Sequence, residues 1–155
     1  MQFSKKSGIL ILVILICLVF GFFNKASAGD IILNDLNGKT ANLSNYNGKP
    51  TILFFWTTWC PYCREELKTL NQLYPQMKKD GITVFAVNVG ESSYTVRKFF
   101  MSHVISFGAL LDTDEEAANK YNVIGVPTYV FITKSGHVIS DEHELPMDYK
   151  KLLLQ

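Results

Sequence analysis

The chain has 155 residues, a formal net charge of +1, and is 48% hydrophobic and 13% aromatic. That length allows one domain with a full-sized core, and the apolar content excludes a disordered chain. The near-neutral balance leaves no footprint for nucleic acid, and three cysteines, Cys17, Cys60 and Cys63, are too few for a disulfide scaffold.

Lys5 and Lys6 precede an apolar run over Ile9–Phe23, and Ala26-Ser27-Ala28 offers small residues for cleavage. Residues 1–28 therefore read as a signal peptide or an uncleaved membrane anchor, the run being short for a spanning helix of roughly 20 residues. Cys17 lies inside that run and reads as inert. Either way, residues 29–155 form an exported domain in a compartment where disulfides persist. That domain keeps 12 basic and 14 acidic side chains, which makes no polybasic membrane patch.

From Asp30 to Lys49 the chain predicts a hairpin, with Ile31-Ile32-Leu33 and Thr40-Ala41-Asn42-Leu43 flanking the turn cluster Asn34-Asp35-Leu36-Asn37-Gly38. The sequon Asn42-Leu43-Ser44 is short enough to arise by chance and is given no role. Thr51–Phe55 is an apolar run of buried-strand type. Next come Trp56-Thr57-Thr58-Trp59-Cys60-Pro61-Tyr62-Cys63-Arg64-Glu65-Glu66-Leu67, then Leu70, Leu73, Tyr74 and Met77 at helical spacing. Pro75 should kink or restart this helix, which ends near Asp80-Gly81.

The Cys-x-x-Cys pair thus stands at a strand-to-helix junction. Cys60 can be the N-cap, with Pro61 at the first helical position, where a missing N–H costs nothing. A thiolate at Cys60 would accept unpaired helix N–H groups and feel the positive end of the helix dipole, which lowers a thiol pKa. Cys60 is expected to be the exposed nucleophile and Cys63, one turn on, the buried partner.

Ile82–Val89 reads as a strand covered on both faces. Ser92 or Ser93 can cap a helix presenting Val96, Phe99 and Phe100, and Ala109–Leu111 is a short strand. Thr113-Asp114-Glu115-Glu116 has the form of a capping box for a helix through Ala117, Ala118 and Tyr121. The acids Asp112, Asp114, Glu115 and Glu116 are explained by that helix start rather than by a cation. Strands Thr128–Thr133 and His137–Ser140 are joined by Lys134-Ser135-Gly136, and Pro146–Leu154 reads as a closing helix. In Gly125-Val126-Pro127-Thr128 a proline opens a strand, which makes the Val126–Pro127 bond a candidate for cis, the alternative being an ordinary trans proline at a strand edge. The whole is a mixed sheet with helices on both faces.

These motifs resemble the thioredoxin superfamily, in which a cis-proline loop sits beside the active-site cysteines. The leading hairpin, Phe55-Trp56-Thr57-Thr58-Trp59-Cys60, Val87-Asn88-Val89-Gly90-Glu91-Ser92 and Leu111-Asp112-Thr113-Asp114 resemble the TlpA/ResA group of exported thiol–disulfide oxidoreductases over nearly all of residues 30–155. The implied fold is a thioredoxin-like α/β domain with an N-terminal β-hairpin extension. Two departures stand out. Pro61-Tyr62 between the cysteines is similar to glutaredoxins, where ResA-type proteins usually carry Glu-Pro. Phe54 occupies the strand position where thioredoxins bury an acid, and Glu66, three residues after Cys63, matches the glutamate of ResA-like proteins, the alternative being a solvated first-turn glutamate that suits the helix dipole.

The resemblance implies a protein-disulfide reductase with Cys60, Cys63 and Glu66 as catalytic residues. Trp59, Pro61, Tyr62, Val126 and Pro127 would contact the substrate, with partial packing into the core as the alternative for Trp59 and Tyr62. It also implies apocytochrome c as substrate and a membrane thiol donor of the CcdA type; the protein is expected to be a monomer with no cofactor or metal beyond the redox-active disulfide. The rival readings are a broader exported-protein reductase, an oxidase, and a metal-binding chaperone. The last lacks ligands, because His103, His137 and His143 fall in sequence segments unrelated to the cysteine junction.

Overall fold

The computed structural model describes residues 31–154. The expected signal or anchor segment, residues 1–28 with Cys17, lies outside them. Among the described residues no helix is long and apolar enough to cross a membrane.

Strands β1 (Ile32–Asp35) and β2 (Thr40–Asn42) form the expected hairpin, paired antiparallel. Asp35 closes its turn by accepting the Asn37 and Lys39 N–H groups at 2.7 and 2.9 Å. Strand β3 (Thr51–Trp56) runs into helix α1 (Pro61–Lys79), and β4 (Thr83–Val89) into α2 (Ser93–Ser102). Strand β5 (Gly108–Asp112), helix α3 (Glu116–Lys120), strands β6 (Thr128–Ile132) and β7 (Val138–Glu142) and helix α4 (Tyr149–Leu153) complete the chain. Among the described residues the seven strands make one sheet in the order β2-β1-β5-β4-β3-β6-β7. Its centre, β5-β4-β3, is parallel and all other pairs are antiparallel.

β3 is buried on both faces, and its two-residue period divides the core. Ile52, Phe54 and Trp56 point to the side of α1 and α2, with Leu67, Leu70, Met77 and Val96. Leu53 and Phe55 point to the other side, with Ala117, Ala118, Tyr121, Leu33 and Leu43. Each large apolar side chain so buried contributes about 1.5–3 kcal/mol. This packing carries α1 across a weak point. The helix runs unbroken from Pro61 to Lys79 through Pro75, so the expected restart does not occur. Leu67, Leu70 and Met77 hold both sides of the proline to the same sheet face, which offsets the roughly 3 kcal/mol an interior proline costs.

The start of α3 also differs from expectation. Glu115, at its N-cap, has φ +61° and makes no side-chain cap. The buried Asp112 supplies the cap from the end of β5, its two oxygens accepting the Ala117 and Ala118 N–H groups at 2.9 and 2.8 Å. A carboxylate arriving from the sheet replaces the local box and leaves Thr113 free of that task. The helix ends at Lys120, one residue short of the buried Tyr121. β7 lies slightly later than expected and α4 is shorter, beginning at Tyr149 after a turn in which the Tyr149 N–H bonds the Pro146 carbonyl at 3.1 Å. Gly136 closes the β6–β7 turn at φ +79°, the left-handed position that requires it.

Candidate active site

The site forms where β3 leaves the sheet. Cys60 is the N-cap of α1, with extended backbone (φ −79°, ψ 113°), and Pro61 opens the helix. The Cys60 Sγ accepts the Cys63 N–H at 3.1 Å and is joined to Cys63 in a disulfide, the two Cα atoms 5.3 Å apart. Cys63 is fully buried. Cys60 is 4% exposed, so in this oxidised state it is not the open thiol expected. Its sulfur is bonded to Cys63 and lies 3.8 Å from the Val126 carbonyl oxygen, which covers it.

The Val126–Pro127 bond is cis, as its setting predicts. This loop is braced at both ends. The Thr128 hydroxyl donates to the Gly125 carbonyl at 2.7 Å, and His143 Nδ1 lies 2.8 Å from the Pro127 carbonyl, which makes that nitrogen the N–H donor. His143 therefore belongs to the site, although its sequence segment gave no reason to place it there. The hairpin β6–β7 folds residue 143 back over the start of β6. Trp59 and Tyr62 are 68% and 77% exposed and stand on the rim with Ile124 rather than in the core. Val126 lies between two grooves. One is lined by Thr57, Trp59, Glu91, Ile124 and Gly125, the other by Tyr62, Glu65, Glu66, Pro127, His143 and Glu144.

Thr58, two residues before Cys60, is held through every polar group it has. Glu91 accepts its N–H at 2.7 Å and its hydroxyl at 2.6 Å, and the Arg64 Nε and Nη2 donate to its carbonyl at 2.9 and 2.7 Å. Asn88, fully buried in β4, donates to the same Glu91 carboxylate at 2.7 Å. Gly90 makes the turn that brings Glu91 back, at φ +71°, and a Cβ there would meet Glu115 Oε1 at 3.2 Å.

Glu66 is half-buried rather than solvated. Its Oε2 accepts the Tyr129 hydroxyl at 2.7 Å and the Leu145 N–H at 3.2 Å. Phe54 faces Tyr129 across the β3–β6 pairing, their ring centroids 4.7 Å apart. The structure thus brings Trp59, Cys60, Pro61, Tyr62, Cys63, Glu66, Val126 and Pro127 to one end of the sheet. Thr58, Arg64, Glu91, Tyr129 and His143 join them without having been singled out in sequence. Only Tyr129 carried a usable signal, since a tyrosine inside a fully buried strand must find a partner for its hydroxyl.

A central mixed sheet, a Cys-x-x-Cys at a helix start and a cis-proline loop against it define the thioredoxin-like class. The AhpC/TSA family model matches residues 25–141, and the chain belongs to that family. Its relatives there include the thiol-disulfide oxidoreductase ResA of Bacillus subtilis strain 168, 36% identical over 141 residues that cover 83% of this chain and 79% of that protein. ResA of Geobacillus kaustophilus strain HTA426 is 42% identical over 113 residues, covering 73% of this chain and 65% of that protein. The match thus spans just under two thirds of the Geobacillus protein. Among solved structures, a secreted Mycobacterium tuberculosis disulfide oxidoreductase homologous to Escherichia coli DsbE superposes with a TM-score of 0.66 at 25% identity, covering 79% of this chain and 91% of that one.

Proposed function

We propose that the protein is an extracytoplasmic protein-disulfide reductase whose substrate is the oxidised haem-attachment cysteine pair of apocytochrome c. The observation that carries the reading is Cys60 at the N-cap of α1, its sulfur held by the Cys63 N–H beside the cis Val126–Pro127 loop. The likeness to ResA proteins supports the chemistry. The apolar run before residue 29 and the secreted Mycobacterium relative support export.

The reaction starts from the reduced pair. The Cys60 thiolate, stabilised by helix N–H groups and the helix dipole, attacks one sulfur of the substrate disulfide. A Cys60–substrate bond forms, the substrate S–S bond breaks, and one substrate thiolate leaves. The Cys63 sulfur then attacks Cys60 Sγ, the mixed disulfide breaks, and the second substrate thiolate leaves. Both substrate sulfurs are reduced by two electrons in total, and the Cys60–Cys63 disulfide holds the oxidation. Glu66, one helical turn from Cys63, takes the Cys63 proton and returns it to the leaving thiolate. Val126 and Pro127 offer backbone to an extended substrate, and Trp59, Pro61 and Tyr62 flank it. A membrane thiol donor of the CcdA type resets the disulfide.

Three measurements test the reading. The midpoint potential should fall nearer the reducing value of about −270 mV than the oxidising value of about −120 mV. A Cys63→Ser variant should trap apocytochrome c as a mixed disulfide. Deleting the gene should lower covalent cytochrome c, with recovery on adding a small thiol. Pro61-Tyr62 favours a second reading, a broader reductase of exported proteins, because glutaredoxin-type pairs sit near about −200 to −230 mV. Normal cytochrome c in the deletion strain, with other exported proteins trapped on Cys63→Ser, would select it.

A further inference from the structure

We propose that Tyr129 is a positioning residue for the exchange reaction: its buried hydroxyl, with the Leu145 N–H, fixes one oxygen of Glu66 so that the other, Oε1, serves the cysteine pair. This rests on the reading of Glu66 given above.

Tyr129 is fully buried in β6, its ring packed on Phe54 at 4.7 Å and stacked on Phe131 at 6.0 Å. A phenol so placed has to spend its O–H within the protein. The acceptor is Glu66 Oε2 at 2.7 Å, a charge-assisted bond of the stronger kind. The Leu145 N–H reaches the same oxygen from the segment before α4. Among the described residues no group donates to Oε1. Burial, and then the facing carboxylate, push the Tyr129 phenol far above the ordinary tyrosine range. It therefore stays a donor throughout the working pH range and does not compete as a proton carrier.

Phe54 explains why the anchor comes from the neighbouring strand. The ring at that β3 position offers no polar group of its own, and Phe54 pairs in register with Tyr129, which carries a hydroxyl past it to the helix. Two donors on one oxygen restrict the Glu66 rotamers and keep the carboxylate from swinging out to solvent. Oε1 is then the atom that takes the Cys63 proton as Cys63 attacks Cys60 Sγ. The same atom gives the proton to the substrate thiolate released when the mixed disulfide breaks. The other titratable groups of that groove are Tyr62 and Glu65 on α1, and His143 and Glu144 after β7. Their contributions to a pH profile are common to all the variants compared here.

The test is a double-mutant cycle on the full-length protein: wild type, Tyr129→Phe, Glu66→Gln and both together. Each is assayed from pH 5 to 9 for reduction of a synthetic Cys-x-x-Cys-His peptide disulfide, with a melting curve alongside. Tyr129→Phe keeps the ring packing and removes only the donor. It should slow resolution of the mixed disulfide about tenfold near neutral pH and displace the midpoint of the profile. In the Glu66→Gln background the same change should alter the rate by less than about twofold. An equal factor in both backgrounds would overturn the inference, since Tyr129 would then act through packing. A silent Tyr129→Phe beside an active Glu66→Gln would remove the anchor and leave the Glu66 reading standing. A silent Glu66→Gln would remove both, leaving the cysteine chemistry intact.

Discussion

Glu91 and Glu66 line the two grooves that meet at Val126 and are bonded in opposite ways. Glu91 uses both carboxylate oxygens on three donors, the Thr58 N–H, the Thr58 hydroxyl and the Asn88 amide. Glu66 accepts two donors on Oε2 alone. A carboxylate whose two oxygens are filled by three donors, two of them on the loop before Cys60, holds geometry. One anchored through a single oxygen has another with which to move a proton. Under the proposed mechanism the same type of side chain holds the Thr58 loop in one groove and serves the cysteine pair in the other.

Removing the nucleophile sets the upper bound on either effect. Cys60→Ser should lower disulfide reduction at least about 10³-fold, read as peptide-disulfide turnover, while the melting curve barely moves from that of the reduced wild type. Glu91→Ala comes next. It should destabilise the fold by about 2 kcal/mol, roughly 30-fold in the folding equilibrium, seen as a lower urea midpoint. Its pH profile of Cys60 alkylation should keep the wild-type shape, and a displaced profile would erase the contrast with Glu66. Glu66→Gln should do the reverse, changing resolution about tenfold with a displaced profile and a stability change under about 1 kcal/mol. On the rim, Tyr62→Ala should raise KM for a peptide disulfide about threefold and leave kcat alone, as expected of an exposed side chain that binds ground and transition states equally.

The smallest effect belongs to a carboxylate far from the disulfide. Lys150 Nζ lies 2.6 Å from Asp80 Oδ2 and ties α4 to the end of α1. The hydrogen bond from Lys150 holds the Asp80 carboxyl below the ordinary carboxylate range. A depressed carboxylate gives stability above its unfolded pKa and loses it as the pH falls through the folded value. The same bond raises Lys150, so at alkaline pH the contribution fades as the pH rises through the raised lysine value. Melting of Asp80→Asn against wild type should differ slightly at neutral pH and converge below about pH 4.

Much of this was legible in the chain itself. The apolar Thr51–Phe55 run, Cys60-Pro61 before a helical stripe, and the proline opening β6 are local signals. Each rests on what one stretch of backbone can do. A strand without polar positions must be covered on both faces, a proline suits the first turn of a helix, and an N-cap sulfur meets free N–H groups. Family resemblance added Glu66 as a candidate. Local rules misread Pro75 and the start of α3, because in each case a contact made elsewhere in the fold outweighed the local preference. At Pro75 that contact is the packing of Leu70 and Met77, and at α3 it is the Asp112 carboxylate delivered from β5.

The sequence by itself determined the class of chemistry, since two cysteines three residues apart, one capping a helix and the other in its first turn, need nothing distant to find each other. Tertiary structure alone decided what surrounds them. Tyr129 reaches Glu66 over a separation of 63 residues, Glu91 reaches Thr58 over 33, and Cys60 meets Val126 over 66. No period or cap encodes such pairs. They exist because a parallel β3–β4 pairing and an antiparallel β3–β6 pairing bring three strand ends to the same end of the sheet, where side chains from distant segments come within hydrogen-bond reach.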